Sequence, residues 1–132
     1  MNIGYLDTLP EALNAFNVAL EVGEKVVFAA EPSCFGNEKD RVVGGPGSKL
    51  TVTNKRIIAN NGPGNFTVDI AEDVASIARV KTGRILKSDY ISLALKTEIV
   101  FDDGKQMLTG FHFYLKKIEK DAMDEIVNRL NS

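Results

Sequence analysis

Lys49-Leu50-Thr51-Val52-Thr53-Asn54-Lys55-Arg56-Ile57-Ile58 is the stretch on which the reading of this chain turns. Residues 49–53 are rich in β-forming types and 56–60 resume the same character, which predicts two strands joined by a tight turn at Asn54-Lys55. Asn suits such a turn because its short polar side chain tolerates the left-handed conformation.

Outward from this hairpin, the period-2 pattern continues on both sides. Lys25–Ala30 reads as a first strand, and 31–48 as a long loop marked by Pro32, Gly36, Gly44, Gly45, Pro46 and Gly47. Downstream, a turn over Asn61–Asn65 leads to strand 66–70, a single helical turn over 71–75, strand 76–80, a loop over 81–89 and strand 90–95. Segments 98–101 and 105–114 flank Asp102-Asp103-Gly104, a hairpin signal. Within the last segment Met107, Thr109, Phe111 and Phe113 share one face, and Leu108, Gly110, His112 and Tyr114 the other.

Both ends read as helices. At the C-terminal end Leu115, Ile118, Ala122, Ile126 and Leu130 form a stripe, thickened by Met123 and Val127. At the start Thr8 is placed as an N-cap, with Pro10 in the first turn and Glu11 at capping-box spacing. Leu9, Leu13, Phe16 and Leu20 then fall on one face, and Gly23 ends the helix. That face is too apolar to stand alone in water, so it docks on its own domain or on a second chain, where these four residues form an oligomer interface. The expected fold is mostly β with α: a bent antiparallel barrel of six to seven strands, capped by a C-terminal helix and preceded by an N-terminal one. The expected division is a docking helix over 1–22 and the barrel domain over 23–132.

Composition narrows the function classes. With 132 residues, 44% hydrophobic and 26% charged, the chain is an ordinary globular one, long enough for a real core, and not disordered, collagen-like or of low complexity. The net charge of -2 argues against a nucleic-acid binder. Residues 1–48 hold three basic and seven acidic groups, whereas 49–100 hold eight basic and five acidic, so the basic excess sits in the middle. A lone Cys34 forms neither an intramolecular disulfide nor a cysteine-based zinc site. The first residues lack a basic leader region, and the longest uncharged run, Ile57–Val68, is too short to span a bilayer. Neither terminus carries a lipidation signal. A cytoplasmic location, peripheral to the membrane if a lipid surface is the ligand, is the expectation.

The Thr53-Asn54-Lys55-Arg56 hairpin between apolar strands resembles the hallmark of bacterial pleckstrin-homology-like (PH-like) and GRAM-like domains. Asp69-Ile70-Ala71-Glu72-Asp73-Val74-Ala75-Ser76-Ile77 looks like the segment where those families place a short turn before the next strand, and the closing helix is similar too. The resemblance covers about residues 24–131. It implies a PH-like fold and a non-catalytic module that binds lipid headgroups, peptides or proteins, or assembles with its own copies. The chain departs from the eukaryotic lipid-binding pattern of a Lys in the first strand and Arg-x-Arg in the second. It offers Lys25, but in the second strand only Lys49, with Thr51 where a cation would stand.

Candidate chemistry is sparse. His112 is the sole histidine and alternates with Phe111 and Phe113, which places it at the surface or half-buried, away from the core. Gly44-Gly45-Pro46-Gly47-Ser48-Lys49 lacks the Gly-Lys-Ser/Thr order and the following helix of a phosphate loop. Asp102-Asp103 lacks the alternating oxygen ligands of a calcium loop. Cys34 reads as an incidental loop residue. No nucleophile–base pair or metal-ligand spacing is present, so neither catalysis nor a cofactor is expected. The best binding candidate is the stretch 79–87, where Arg79, Lys81, Arg84 and Lys87 surround an Ile85-Leu86 tip with no acid among them. Such a loop suits an anionic membrane surface, although four charges alone bind weakly and call for avidity. Lys55 and Arg56 are the second candidate. The reading is therefore a module for a partner protein or an anionic membrane surface, with self-assembly through the N-terminal helix or a sheet edge as the alternative.

Overall fold

The computed structural model describes residues 1–61, 64–84, 86–100 and 107–132. In chain order its elements are α1 (Tyr5–Thr8), β1 (Val26–Ala30), β2 (Cys34–Asn37), β3 (Val42–Gly44), β4 (Lys49–Thr53), β5 (Arg56–Asn61), β6 (Gly64–Asp69), α2 (Ile70–Asp73), β7 (Val74–Val80), β8 (Tyr90–Val100), β9 (Met107–Tyr114) and α3 (Lys117–Leu130). The strands make two antiparallel sheets, ordered β1-β4-β5-β6 and β3-β2-β9-β8-β7. The chain crosses between them at Glu31-Pro32-Ser33, where proline removes a ladder donor. It returns to the first sheet between β3 and β4, and crosses a third time at α2, whose N-cap Asp69 accepts a hydrogen bond from the amide of Glu72.

One core lies between the sheets. Leu50, Val52, Ile57 and Phe66 enter it from the first sheet, Phe35, Leu93, Phe111 and Phe113 from the second, and Met123, Ile126, Val127 and Leu130 from α3. The rings of Phe66 and Phe111 stack across the gap with centroids 4.3 Å apart. Burial of each such side chain is worth roughly 1.5–3 kcal/mol, so this seam is what makes the two sheets one unit.

The quoted hairpin forms as β4 and β5, paired from Lys49↔Asn60 to Val52↔Ile57. Asn54 contributes differently from expectation, however. It is absent from the left-handed residues and instead works through its buried side chain. Its Oδ1 accepts from the amide of Lys25, and its Nδ2 donates to Asp7 and to the carbonyl of Gly23. Thr53 Oγ1 accepts from the amides of Lys55 and Arg56, which closes the turn.

Four expectations are corrected. First, the N-terminal helix is a single turn, Tyr5–Thr8, and residues 9–25 follow as an arm without helix or strand. Pro10 disfavours helical backbone at Leu9, which is extended at φ -74° and ψ 145°. The Asn14 side chain then takes both the amide and the carbonyl of Val18 for itself, and Asn17 turns left-handed at φ 53°. Second, the loop 31–48 contains β2 and β3, because Cys34–Asn37 pairs with Tyr114–Phe111 far along the chain. The strands therefore number nine among the described residues rather than six or seven. Third, Leu108 and not Met107 enters the core, since the inward face changes along β9 where β8 is irregular between Ala94 and Ile99. Fourth, Ile118 and Ala122 leave the α3 stripe, Ile118 being 86% exposed. The Asp102-Asp103-Gly104 turn lies outside the described residues, as do Gly62 and Pro63 of the Asn61–Asn65 turn and Ile85 of the Ile85-Leu86 tip.

Candidate functional site

The site is built on the outer face of the second sheet. β9 sends Phe111 and Phe113 inward and His112 and Tyr114 outward, but outward is not solvent here: both are buried. His112 is thus on the expected face and more deeply covered than a surface residue. Tyr90 of β8 stacks on His112 with centroids 4.4 Å apart and leans on Tyr114 at 5.0 Å, while Cys34 and Val80 pack beside them.

Two loops roof this aromatic patch. In the β2–β3 turn, Asn37 Oδ1 accepts from the amides of Lys39 and Arg41, which tightens the turn and swings Asp40 over into left-handed backbone at φ 58°. The Asp40 carboxylate lands under the second loop, 81–89, with its side chain only 8% exposed. Its Oδ1 accepts from the Tyr114 hydroxyl at 2.6 Å and lies 3.0 Å from His112 Nδ1, and its Oδ2 accepts from the amide of Arg84 at 2.5 Å. A carboxylate accepts only, which puts the imidazole proton on Nδ1. Arg84 also donates its guanidinium to the carbonyl of Lys39. Gly83 rests directly on Tyr114: a Cβ there would stand 1.8 Å from the hydroxyl oxygen, so no other residue fits. Across this loop Gly83 donates to the carbonyl of Ser88, and Lys87 is left-handed at φ 50°. Among the described residues Asp40 and Lys87 are two of three non-glycine residues with positive φ; Asp tolerates that conformation, whereas at Lys87 it is strained, and such strain concentrates at functional sites.

Beneath the charged roof Tyr114 and Cys34 stay protonated. Burial, and then the hydrogen bond to Asp40, push Tyr114 well above the ordinary tyrosine range, so its hydroxyl remains a donor. Burial likewise raises the Cys34 thiol, with Asp40 adding to it, which keeps the sulfur unreactive. Above them Lys39, Arg41, Lys81, Arg84 and Lys87 are exposed on the two abutting loops, beside Leu86 at 48% and Val42 at 55% exposure, with Glu38 the exposed acid.

The sequence-derived candidates separate accordingly. Lys81, Arg84 and Lys87 belong to the face. Arg79 turns away to Asp89 at 2.7 Å and Asp124 at 2.8 Å, and the hydrogen bond to Asp89 raises its pKa further. Lys39 and Arg41 were not legible, because nothing in 31–48 announces that its turn lands on the loop 81–89. Lys55 and Arg56 lie elsewhere and hold the arm: Lys55 Nζ donates to the carbonyl of Val22, and Arg56 Nη2 to that of Ala19. Of the four residues read as an oligomer stripe, Leu9 packs half-buried on the core, Leu13 and Leu20 are exposed, and Phe16 lies with Lys49 Nζ 5.6 Å from its ring centroid. They share no helical face.

Clefts of about 220 Å³, lined by Asn65, Phe66, Thr67, Ile99 and Val100, and about 330 Å³, lined by Glu31, Pro32, Ser33, Pro46, Gly47 and Lys116, lie away from this face. Neither gathers catalytic side chains. Among the described residues no three His, Cys, Asp or Glu side chains come together as a metal site, and no helix is long and apolar enough to cross a membrane.

Comparison with protein-family models finds no match, and comparison with curated proteins finds none either. Among solved structures the chain is similar to the Vps36 N-terminal PH domain, with a TM-score of 0.63 over 92% of this chain and 89% of that one, at 14% sequence identity. The fold is PH-like. At that identity the likeness speaks for architecture and leaves the site to its own geometry.

Proposed function

We propose that this chain is a non-catalytic PH-like binding module that docks on an anionic membrane surface through the two-loop basic face. The observation that carries the reading is the Arg84–Lys39–Asp40 junction, which presses the β2–β3 turn against the loop 81–89. It adds Lys39 and Arg41 to Lys81, Arg84 and Lys87, more than replacing the Arg79 charge that Asp89 and Asp124 engage. Each cation close to an anionic leaflet contributes about 1 kcal/mol, so five make a measurable module where an isolated three would not. Leu86 and Val42 supply apolar side chains at the same surface. The closer kinship with bacterial GRAM-like members is part of this proposal and rests on the Thr53–Arg56 hairpin.

The test is cosedimentation of the full chain with phosphatidylserine-containing vesicles against pure phosphatidylcholine, at rising salt. The expected result is binding to the anionic vesicles alone, weakened by salt and abolished by the Arg84→Glu/Lys87→Glu double substitution. Equal partition to both vesicles, or an unaffected double variant, overturns the reading. The exposed Leu13, Leu20 and Val22 of the arm favour self-assembly as the second reading. A multiple of the monomer mass by light scattering, reduced by Phe16→Asp, would support it.

A further inference from the structure

We infer that Asp40 is the positioning residue of the basic face, an acid whose place among five cations is to hold them in register. This rests on the reading of that face as the binding surface. Its carboxylate joins three things that no other described group connects: the outward side of β9 through Tyr114 and His112, the loop 81–89 through the amide of Arg84, and its own turn, which carries Lys39 and Arg41. Its backbone is left-handed, a conformation Asp tolerates better than most side chains, and the Asn37 side chain fixes it by accepting from the amides of Lys39 and Arg41. Gly83 on the Tyr114 hydroxyl brings the loop close enough for the Arg84 amide to reach.

Charge and position make opposite forecasts for this residue. If Asp40 were simply a nearby acid, Asp40→Asn would make the face more positive and tighten its hold on an anionic surface. As the positioning residue, its loss has the reverse effect. An asparagine has one accepting oxygen, so its amide NH₂ would either confront the Arg84 amide, an obligate donor, or force the Tyr114 hydroxyl and His112 Nδ1 to turn from donating to accepting. Tyr114→Phe is the gentler companion, removing one donor with no change of charge.

The chain has no tryptophan, so Leu86→Trp gives a single reporter on the loop, and all variants are compared in that background. Two readings are taken: affinity for phosphatidylserine-containing vesicles by the emission shift of the introduced indole, and the anisotropy of that indole in the absence of lipid. Asp40→Asn is expected to weaken vesicle binding about tenfold and Tyr114→Phe about fivefold, each with lower anisotropy and with far-UV circular dichroism unchanged. Tighter binding by Asp40→Asn, or unchanged anisotropy in both variants, overturns the inference. Should the parent protein ignore the vesicles, the reading of the face fails, and the anisotropy still decides whether Asp40 holds the loop. If Asp40→Asn does not fold, Tyr114→Phe decides by the same two readings.

Discussion

Glu24 shows how one side chain settles the conformation around it. Its carboxylate is fully buried beside the β4–β5 turn and accepts from Arg56 twice, at 2.7 and 2.8 Å, and from the Thr53 hydroxyl at 2.6 Å. Burial by itself would raise its pKa, but the hydrogen bonds from Arg56, Thr53 and the amide of Glu21 outweigh it and hold the group at about 2. A folded value below the ordinary 4.5 means that ionised Glu24 stabilises the fold above that pH, and that this contribution is lost as pH falls from about 4.5 through 2. The contribution is on the order of 3 kcal/mol at neutral pH. Urea titrations across that window should show an acid limb in the wild type that Glu24→Gln flattens. Arg56→Ala, which strands the buried carboxylate, should cost about 3 kcal/mol at pH 7 in the same measurement. The Lys55-Arg56 pair thus holds structure in place, and the hairpin motif that first suggested the fold is also what clamps the preceding arm.

Elements whose pattern is local were legible in the sequence, and those that depend on distant partners were not. β4 and β5 follow from residue type and turn chemistry within a dozen positions. α3 follows from its 3.6-residue period, although the pattern could not say that Ile118 is exposed while Ile126 joins the core. Truncation to alanine should separate them in thermal or chemical denaturation: about 3 kcal/mol for Ile126→Ala and less than about 0.5 kcal/mol for Ile118→Ala. The arm misleads because Thr8, Pro10 and Glu11 satisfy a helix-start pattern that Asn14 and Asn17 undo through their own side-chain and backbone geometry. β2 and β3 were invisible for another reason: glycine and polar residues dilute their pattern, and β2 is fixed by β9, which arrives late in the chain. The candidate site shares that difficulty. Half of it, 81–87, stands out as a basic run, while Lys39, Arg41 and Asp40 reach it only through pairing of β2 with β9.

For the whole molecule, charge placement matters more than total charge. The net charge is -2, yet among the described residues five exposed cations, Lys39, Arg41, Lys81, Arg84 and Lys87, sit on two abutting loops, while Arg79 is engaged by Asp89 and Asp124 and Lys96 by the carbonyl of Ala71. Lys96→Glu and Lys87→Glu change the net charge equally. On phosphatidylserine-containing vesicles the first should leave the affinity within about twofold of wild type and the second should lower it about thirtyfold, two charges each worth about 1 kcal/mol at the leaflet. Equal losses would mean that the overall field, rather than the face, sets the binding. The arm carries a different consequence. Lys25 donates to the carbonyls of Asp7 and Leu9, Lys55 to that of Val22 and Arg56 to that of Ala19, and every residue type presents the same carbonyl. At these positions the grip is blind to the side chain, unlike at Glu24, so Ala19 and Val22 are natural points to attach a dye or an affinity handle, while the three cations and Glu24 are not free to change.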